Sequence, residues 1–430
     1  MTLTRTIGPR HRAGRRAGRA AGRALGTLAI VGLLGTAACS SGSPTGTTSS
    51  SGSATASTPS VPTSTASSTS ATTTTPTTTS AAQTPTASVT SRAGRPTGSV
   101  TVLRTLATGL DVPWGLALMP DRSAVLVTTR DDGRVRRIDL STGRVTSVGR
   151  VPGVVSNVAQ QGEAGLLGIA VSPRFASDRT LFVYFSTAND NRIATMTYDP
   201  TAPAGQQLGT PRVIVRGIPH GVHHNGGHLS FGPDGYLYAT TGESGNPSLS
   251  QDRSSLGGKI LRMTTSGQPA PGNPFGTLVW SYGHRNVEGI AWDAAGRLWS
   301  SEFGDHLHDE LNLIRRGGNY GWPQTEGKTS EPGIVSPVEQ WSPDVNSPSG
   351  IAIAAGSAWL GGLRGERLWR VPLDGAKPAG DPQAFLNGRY GRLRSVLAID
   401  DRTLLVTTSN RDGRTAPNAG DDRILVLRVS

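Results

Sequence analysis

Residues 229–240 read LSFGPDGYLYAT, two short apolar stretches separated by the turn Pro233-Asp234-Gly235. Pro, Asp and Gly together are typical of a tight turn, so this segment predicts an antiparallel β-hairpin. The same pattern, a small-residue and apolar step that leads through a turn into a second apolar strand, occurs six times along the chain. The copies begin at residues 115, 168, 229, 289, 350 and 396.

The spacing of these copies, 46 to 61 residues, is that of a four-stranded propeller blade. Helical periodicity is nearly absent, because 56 glycines and 29 prolines interrupt the chain. The sequence therefore predicts an all-β fold, a six-bladed β-propeller with four-stranded antiparallel blades around an axial channel. Gly98–Ala107 and Arg423–Val429 flank the repeats, and we expect them to pair and close the ring. A barrel or a sandwich is the alternative, but neither accounts for six copies at this spacing.

The N-terminus predicts an export signal over residues 1–39. Seven arginines without an acidic residue are followed by the apolar, small-residue run Ala24–Ala38, which at fifteen residues is too short for an ordinary membrane span. The residues around Cys39 resemble a bacterial lipoprotein processing site, which would place a lipid on the thiol. Thr36 departs from that pattern, because Leu usually stands three residues before the cysteine. The route of export stays open.

Residues 40–97 consist almost wholly of Ser, Thr, Pro, Ala and Gly. Such a composition cannot bury enough apolar surface to offset ordering entropy, so we expect a disordered linker here. The globular domain then spans residues 98–430. This organisation predicts an exported protein, either a cell-surface lipoprotein or an extracellular or periplasmic one. Contact with a membrane is expected only through a lipid at Cys39.

The distribution of charge argues against a nucleic-acid partner. The formal net charge of +12 would by itself favour one. However, nine arginines and no acidic residue lie in residues 1–97, so residues 98–430 carry only +3. Cys39 is the single cysteine, which excludes an internal disulfide and a Cys-x-x-Cys-His haem-attachment motif.

Four of the eight histidines lie within nine residues, just before a predicted inner strand at one end of the channel: His220, His223, His224 and His228. One isolated histidine is most often structural, whereas four together point to function. An imidazole can act as a proton-accepting base near neutral pH. It can also bind zinc, although this spacing matches no standard zinc motif. Both interpretations stay open on the residues alone.

Three further groups of residues suit a bound anion and a cation. Gly283-His-Arg-Asn286 precedes another inner strand, and the acidic segment from Glu302 to Glu310 suits a hard cation such as calcium, or is a solvated loop edge. Arg364, Arg392 and Arg394 could together bind carboxylates, or each could be a surface arginine. A base, a cation and clustered arginines suit a polyanionic, metal-bound cofactor better than a hydrolytic site.

These motifs together resemble the soluble glucose/sorbosone dehydrogenase family, the aldose sugar dehydrogenases that use pyrroloquinoline quinone (PQQ). The resemblance covers most of residues 98–430, and several ordered motifs are more specific than any one alone. They are Gly162-Glu-Ala-Gly-Leu-Leu-Gly168, His224-Asn-Gly-Gly-His-Leu229, Gly283-His-Arg-Asn286, Gly304-Asp305 through Asp309-Glu310, Gly317-Gly-Asn-Tyr-Gly-Trp-Pro323 and Gly391-Arg-Leu-Arg-Ser-Val396.

The resemblance implies a catalytic set. His224 would be the general base that takes the proton from the anomeric hydroxyl of the sugar while hydride passes to the quinone. Glu243 would lie near this base. Arg285 and Asn286 would lie at the reactive quinone carbonyls, where a cation and an amide stabilise developing negative charge.

It also implies binding sites for PQQ and Ca²⁺. The backbone carbonyls of Gly304 and Asp305 would help to hold the calcium. The residues that bind the cofactor would be Glu163, His224, Arg285, Asn286, Arg364, Arg392 and Arg394.

Three positions depart from the best-known glucose-oxidising member of the family. Glu163 stands in place of Gln and puts a negative charge near an anionic cofactor. Arg364 replaces Lys, which keeps the charge and changes its geometry. Ser330 stands where an aspartate binds further calcium ions, so we do not expect those sites here.

The sequence thus favours a quinoprotein oxidoreductase that oxidises the C1 hydroxyl of aldose sugars to lactones and passes electrons to an unidentified acceptor. The alternative is a non-catalytic extracellular propeller that binds carbohydrate or protein. A metal-dependent lactonase on a similar propeller is a third interpretation. Its ligands would be Glu, Asn and Asp side chains from several blades, which would leave His224 and the three arginines without a role.

Overall fold

A computed structural model of the protein describes residues 97–430, which form six antiparallel sheets arranged as the blades of a propeller. The predicted all-β, six-bladed fold is confirmed. Within residues 97–430 the helices are short: α1 (Phe175–Asp178), α2 (Ser248–Gln251) and one 3-10 turn, Val158–Gln160. None of the helices in this range has the length and apolarity that a membrane crossing needs. The predicted export signal, Cys39 and residues 40–96 of the predicted linker lie outside the described residues.

The first strand, β1 (Val100–Ala107), belongs to the last blade, and the next sixteen strands form blades 1 to 4. Blade 1 contains β2 (Pro113–Leu118), β3 (Ala124–Thr129), β4 (Arg134–Asp139) and β5 (Val145–Arg150). Blade 2 contains β6 (Leu166–Val171), β7 (Thr180–Ser186), β8 (Asn191–Thr197) and β9 (Arg212–Ile218). Blade 3 contains β10 (Leu229–Phe231), β11 (Leu237–Thr240), β12 (Lys259–Met263) and β13 (Val279–Tyr282). Blade 4 contains β14 (Asn286–Trp292), β15 (Leu298–Phe303), β16 (Asp309–Ile314) and β17 (Glu339–Trp341).

The last two blades depart from this simple order. In blade 5, β18 (Pro348–Ala354), β19 (Ser357–Gly362) and β20 (Arg367–Asp374) are followed by β21 (Lys377–Pro378) and β22 (Gln383–Phe385), which both pair with β20. Blade 6 joins β23 (Leu393–Asp400), β24 (Thr403–Thr408) and β25 (Ile424–Val429) to β1. Val100 pairs with Val429 and Ala107 with Ile424, so the two flanking segments close the ring as predicted.

The hydrophobic core is divided among the interfaces between neighbouring blades. Six clusters of buried side chains fill the six interfaces, and each cluster draws most of its residues from two adjacent blades. Between blades 4 and 5, for example, the fully buried Trp299 packs in one cluster with Leu360 and Val371. Inner-strand residues of five blades line a cavity of about 270 Å³ in the channel.

The glycine in four of the repeats marks the closest approach of adjacent inner strands. A Cβ added at Gly168 would lie 2.1 Å from the carbonyl oxygen of Gly227, on the neighbouring blade. Equivalent contacts of 2.5 to 2.7 Å would arise at Gly115, Gly289 and Gly350. The small-residue step that repeats in the sequence is thus required where the strands converge on the axis.

We expect Gly168→Ala to lower the free energy of unfolding by about 2 kcal/mol, because the added methyl must displace backbone rather than a flexible side chain. Gly380→Ala is the matched control, since the nearest atom, Pro372 Cγ, would lie 3.7 Å from its Cβ. Urea denaturation of both variants measures the difference. Equal midpoints for the two variants would show that the inner strands are not held at this separation.

Candidate functional site

The candidate residues lie on loops at one end of the channel, in segments that precede the first strand of a blade or follow its second. These two kinds of segment meet at the same end because the first two strands of each blade run antiparallel. His224 precedes β10 and Glu243 follows β11, whereas Arg285 precedes β14 and Gly304 follows β15. Residues that are far apart in sequence therefore face one region.

His224 is held by contacts to both its ring and its backbone. Its Nδ1 is hydrogen-bonded to Oε1 of Glu243, and its main-chain N–H donates to Oε2 of Glu163 at 2.7 Å. The His224 backbone has a φ of +58°, in the left-handed region that residues other than glycine adopt at a cost of about 1–2 kcal/mol. The Glu163 contact therefore stabilises a conformation that the chain would otherwise disfavour.

Glu243 fixes the proton on the His224 ring. An ionised carboxylate only accepts hydrogen bonds, so Nδ1 carries the proton and Nε2 keeps a free lone pair. The Glu243 side chain is buried, and its Oε2 has no hydrogen-bond partner among residues 97–430. The pair can therefore accept a proton at Nε2, and the buried carboxylate would stabilise the imidazolium that forms.

Arg285 and Asn286 connect the loop that carries His224 to the loop that contains Gly304 and Asp305. The Arg285 guanidinium donates to the Gly304 carbonyl and to Oδ1 of Asp305, each at 2.6 Å, and lies over the Trp322 ring at 5.3 Å. Asn286 is buried, and its Oδ1 accepts the main-chain N–H of Gly226 at 3.0 Å. Four residues predicted from the sequence thus lie together. Asn286 is next to Arg285, and Arg285 contacts both predicted calcium ligands, Gly304 and Asp305.

The Gly304–His308 loop contributes two oxygens of the kind that bind calcium. The Gly304 carbonyl and the Asp305 carboxylate both face a cation, the Arg285 guanidinium, and calcium prefers such ligands. Asp305 makes its contact with Arg285 through its carboxylate, and calcium binding by its backbone carbonyl stays a prediction. Oε1 of Glu326 accepts the N–H groups of Asp305, Leu307 and His308, which fixes the loop.

The three predicted arginines line one open cavity of about 380 Å³, the arginine cavity. Its wall contains Arg364, Arg392 and Arg394 together with Glu163, Phe303, Ser347 and Leu363. Sequence reasoning missed two further charged residues of this wall, Glu288 and Arg414. Every arginine of the cavity is paired with a carboxylate of the chain. The pairs are Arg364 with Asp344 at 2.6 Å, Arg392 with Asp412 at 3.0 Å, Arg394 with Glu288 at 2.7 Å and Arg414 with Glu163 at 3.1 Å.

Burial of these groups perturbs their ionisation. Burial raises the pKa of Glu288 even though Arg394 opposes the shift. Burial also opposes the ionisation of Asp412, but Arg392 and Arg394 outweigh it and lower the pKa of that carboxyl. Burial and the neighbouring guanidiniums lower the pKa of Arg392. The terminal nitrogens of Arg392 have no hydrogen-bond partner among residues 97–430, so the cavity presents unused donors to an anionic ligand.

The other histidines of the cluster do not assemble around one point. His223 is exposed, whereas His228 lines the axial channel, where burial lowers its pKa to about 4 and keeps the ring neutral. Across residues 97–430, no three His, Cys, Asp or Glu side chains are grouped as a metal site. The zinc interpretation therefore has no support in the arrangement of these rings.

His284 belongs to a second, buried network. Its ring nitrogens bond to Glu302 and Ser281 at 2.8 Å, and the ring stacks on Tyr320. The order Ser–His–Glu resembles a nucleophilic triad. However, Ser281 and His284 are completely buried, so no substrate can reach the hydroxyl. This network therefore holds the Glu302 carboxylate in place, and Oε1 of Glu302 accepts the main-chain N–H of Arg285 at 2.6 Å.

Glu310, next to this network, makes folding stability depend on pH. Burial, and then the charge of Glu302, raise the pKa of Glu310 from its ordinary value of 4.5 to about 8. Stability from this group is complete below pH 4.5 and is lost as the pH rises through the folded-state pKa. We expect the Tm to fall as the pH rises from 4.5 to about 8, and we expect Glu310→Gln to make this fall smaller. Thermal melts across the interval measure this, and identical pH profiles for both proteins would contradict it.

Comparison with known proteins relates the chain to one protein family and to several named sugar dehydrogenases. Residues 110–418 match the glucose/sorbosone dehydrogenase family. The PQQ-bound structure of an aldose sugar dehydrogenase from Streptomyces coelicolor is 58% identical, with a TM-score of 0.76, over 79% of this chain and 100% of that chain. Aldose sugar dehydrogenase YliI of Escherichia coli is 29% identical over 72% of this chain and 91% of its own length. Quinoprotein glucose dehydrogenase B of Acinetobacter calcoaceticus is 29% identical over 60% of this chain and 62% of its own.

Proposed function

This chain belongs to the glucose/sorbosone dehydrogenase family, and on that premise we propose that it is a quinoprotein that oxidises the C1 hydroxyl of aldose sugars to lactones. The observation that carries the proposal is the position of the His224–Glu243 pair. Glu163 bonds to the main chain of His224 and also lines the arginine cavity. This contact supports the proposal, since it would place a polarised base next to a site for a polycarboxylate.

His224 would remove the proton of the anomeric hydroxyl at Nε2. The contact of Nδ1 with Glu243 fixes the required tautomer, and the buried carboxylate stabilises the resulting imidazolium. When bound, PQQ would supply the hydride acceptor for this oxidation. The chain's own residues would position the substrate hydroxyl and hold its proton.

The arginine cavity would bind the carboxylates of the cofactor. Arg392 and Arg394 have partly unused guanidinium donors and lie at its wall, and Arg364 has a side chain 63% exposed that can turn towards a ligand. Arg285 has a buried Nε without a partner among residues 97–430, and Asn286 lies next to it. We propose that these two residues face the quinone carbonyls, where a cation and an amide stabilise negative charge.

Calcium would be held by oxygens of Gly304 and Asp305. Both residues accept hydrogen bonds from Arg285, so a bound cation would compete with the guanidinium for these oxygens. The metal would act as a Lewis acid towards the bound cofactor. The N-terminal features support export, with Cys39 as the site of a lipid and an unidentified acceptor outside the chain.

The regiochemistry can be tested with a blocked substrate. Purified protein is loaded with PQQ and Ca²⁺ and given glucose or its methyl glycoside, in which the anomeric hydroxyl is replaced by a methoxy group. Dye reduction with glucose and no reaction with the glycoside, together with the lactone detected by NMR, are the expected results. Oxidation of both compounds at equal rates would mean that a hydroxyl other than C1 reacts.

A further inference from the structure

Glu163 contacts two segments that carry different parts of the proposed site. Its Oε2 accepts the main-chain N–H of His224 at 2.7 Å, and its Oε1 accepts Nη2 of Arg414 at 3.1 Å. Both Glu163 and Arg414 line the arginine cavity. One carboxylate therefore connects the loop that carries the proposed base to the cluster of cations.

The His224 contact constrains the backbone at a strained position. With a φ of +58°, His224 lies in a region that residues with a side chain rarely adopt. The Glu163 carboxylate on its N–H and the Ser244 N–H on its carbonyl, at 3.1 Å, hold this conformation from both sides. Loss of the acceptor at Glu163 would let the loop relax and move the ring away from its position.

The charge of Glu163 requires compensation. Burial opposes its ionisation, but Arg414, followed by His224, outweighs burial and lowers the pKa of the carboxyl. Glu163 is thus an anion at the wall of a cavity that fits an anionic ligand. Arg414 neutralises it, and Nε and Nη1 of Arg414 bond to no other residue within 97–430. These nitrogens remain available to a ligand carboxylate.

We propose that Glu163 and Arg414 act as one unit in cofactor binding. Arg414 would be a fourth arginine for the carboxylates of PQQ, and it would also neutralise the Glu163 that positions the main chain of His224. The inference rests on the proposed function, because it requires that the arginine cavity binds PQQ.

The test removes the charge of Arg414, the charge of Glu163, or both charges, and compares the resulting variants. The variants are Arg414→Gln, Glu163→Gln, their double variant and Glu163→Ala. Arg411→Gln is the matched control, because Arg411 lies in the same loop but faces the exposed Asp111 at 4.0 Å and does not line the cavity. The Kd for PQQ is measured by titration of each calcium-loaded protein with tryptophan fluorescence. Thermal melts confirm that each variant is folded, and kcat and KM are then measured with glucose.

We expect Arg414→Gln to weaken PQQ binding by about tenfold or more, because it leaves the Glu163 carboxylate unpaired beside an anion. The double variant should bind more tightly than Arg414→Gln alone, and Arg411→Gln should bind like the wild type. Glu163→Ala should lower kcat more than it raises KM. Glu163→Gln should restore most of that loss, since its amide oxygen can still accept the His224 N–H.

Three outcomes would overturn the inference. Wild-type affinity in Arg414→Gln would remove its role at the cofactor, and a double variant no tighter than Arg414→Gln would remove the coupling to Glu163. Equal kcat in Glu163→Ala and wild type would remove the positioning role. In each case PQQ binding by the wild type would leave the proposed function intact, whereas failure of the wild type to bind PQQ would overturn both.

Discussion

Replacement of His224 by Gln is expected to lower kcat by about a thousandfold, while PQQ binding stays close to that of the wild type. The reason is geometric, because Glu243 holds the proton on Nδ1 and so leaves Nε2 as the acceptor for the sugar hydroxyl. Glutamine keeps a polar side chain in the loop but offers no group that titrates near neutral pH. Steady-state kinetics with glucose and a fluorescence titration with PQQ measure the two quantities.

His220→Gln is the control for this variant, since it makes the same chemical change in the same loop. It should retain nearly full activity, because the ring of His220 lies outside the Glu243 and Glu163 contacts. A kcat for His224→Gln within about tenfold of the wild type would be too small a loss for a general base. The proton would then go to another group.

Replacement of Arg394 by Met is expected to lower the free energy of unfolding by about 3 kcal/mol and to abolish detectable PQQ binding. Arg394 is 2% exposed and pairs with Glu288, which is 4% exposed. Removal of the cation leaves a buried carboxylate without its partner, and burial already raises the pKa of Glu288. The cavity also loses one of its anion-binding groups.

The double variant Arg394→Met/Glu288→Gln separates the two effects. It should recover much of the stability, because no unpaired charge remains, but it should not recover PQQ binding. Urea denaturation and a PQQ titration report the two effects independently. Restored binding in the double variant would show that Arg394 only neutralises Glu288 and does not bind the cofactor.

The repeat architecture could be predicted from the sequence because it is local. Each hairpin carries its turn and its apolar strands within about twelve residues, as LSFGPDGYLYAT does, and six such units at blade-like spacing permit few other folds. The pairing of β1 with β25 was also predictable, because the two segments flank the six repeats. The glycine at position 168 was visible as part of the repeat, but its reason lies in the neighbouring blade.

The loops at the end of the channel could be predicted only in part. Motifs identified His224, Arg285, Arg392 and Arg394, and the structure brings them to one end of the propeller. Three of the carboxylates that pair with the arginines, Glu288, Asp344 and Asp412, could not be found in this way, and Glu163 was found without its partner Arg414. Arg394 meets Glu288 from 106 residues away and Arg414 meets Glu163 from 251, so no local pattern joins them.

These pairs change how the arginine cluster is understood. The sequence alone predicts that adjacent arginines need an anionic ligand to offset their repulsion. In the structure each guanidinium has a carboxylate partner from the chain itself, and these carboxylates offset the repulsion among the arginines. An anionic cofactor would then bind through the unused donors of each guanidinium.

The quinoprotein proposal is tested by dye-linked aldose oxidation with the purified protein under three conditions: without additions, with Ca²⁺ alone, and with Ca²⁺ and PQQ. We expect activity only in the complete mixture, and loss of that activity when calcium is removed by a chelator before PQQ is added. If the complete mixture oxidises no aldose, or if the protein binds no PQQ, the chain is not a quinoprotein dehydrogenase. A propeller that binds carbohydrate or protein would then be the better account.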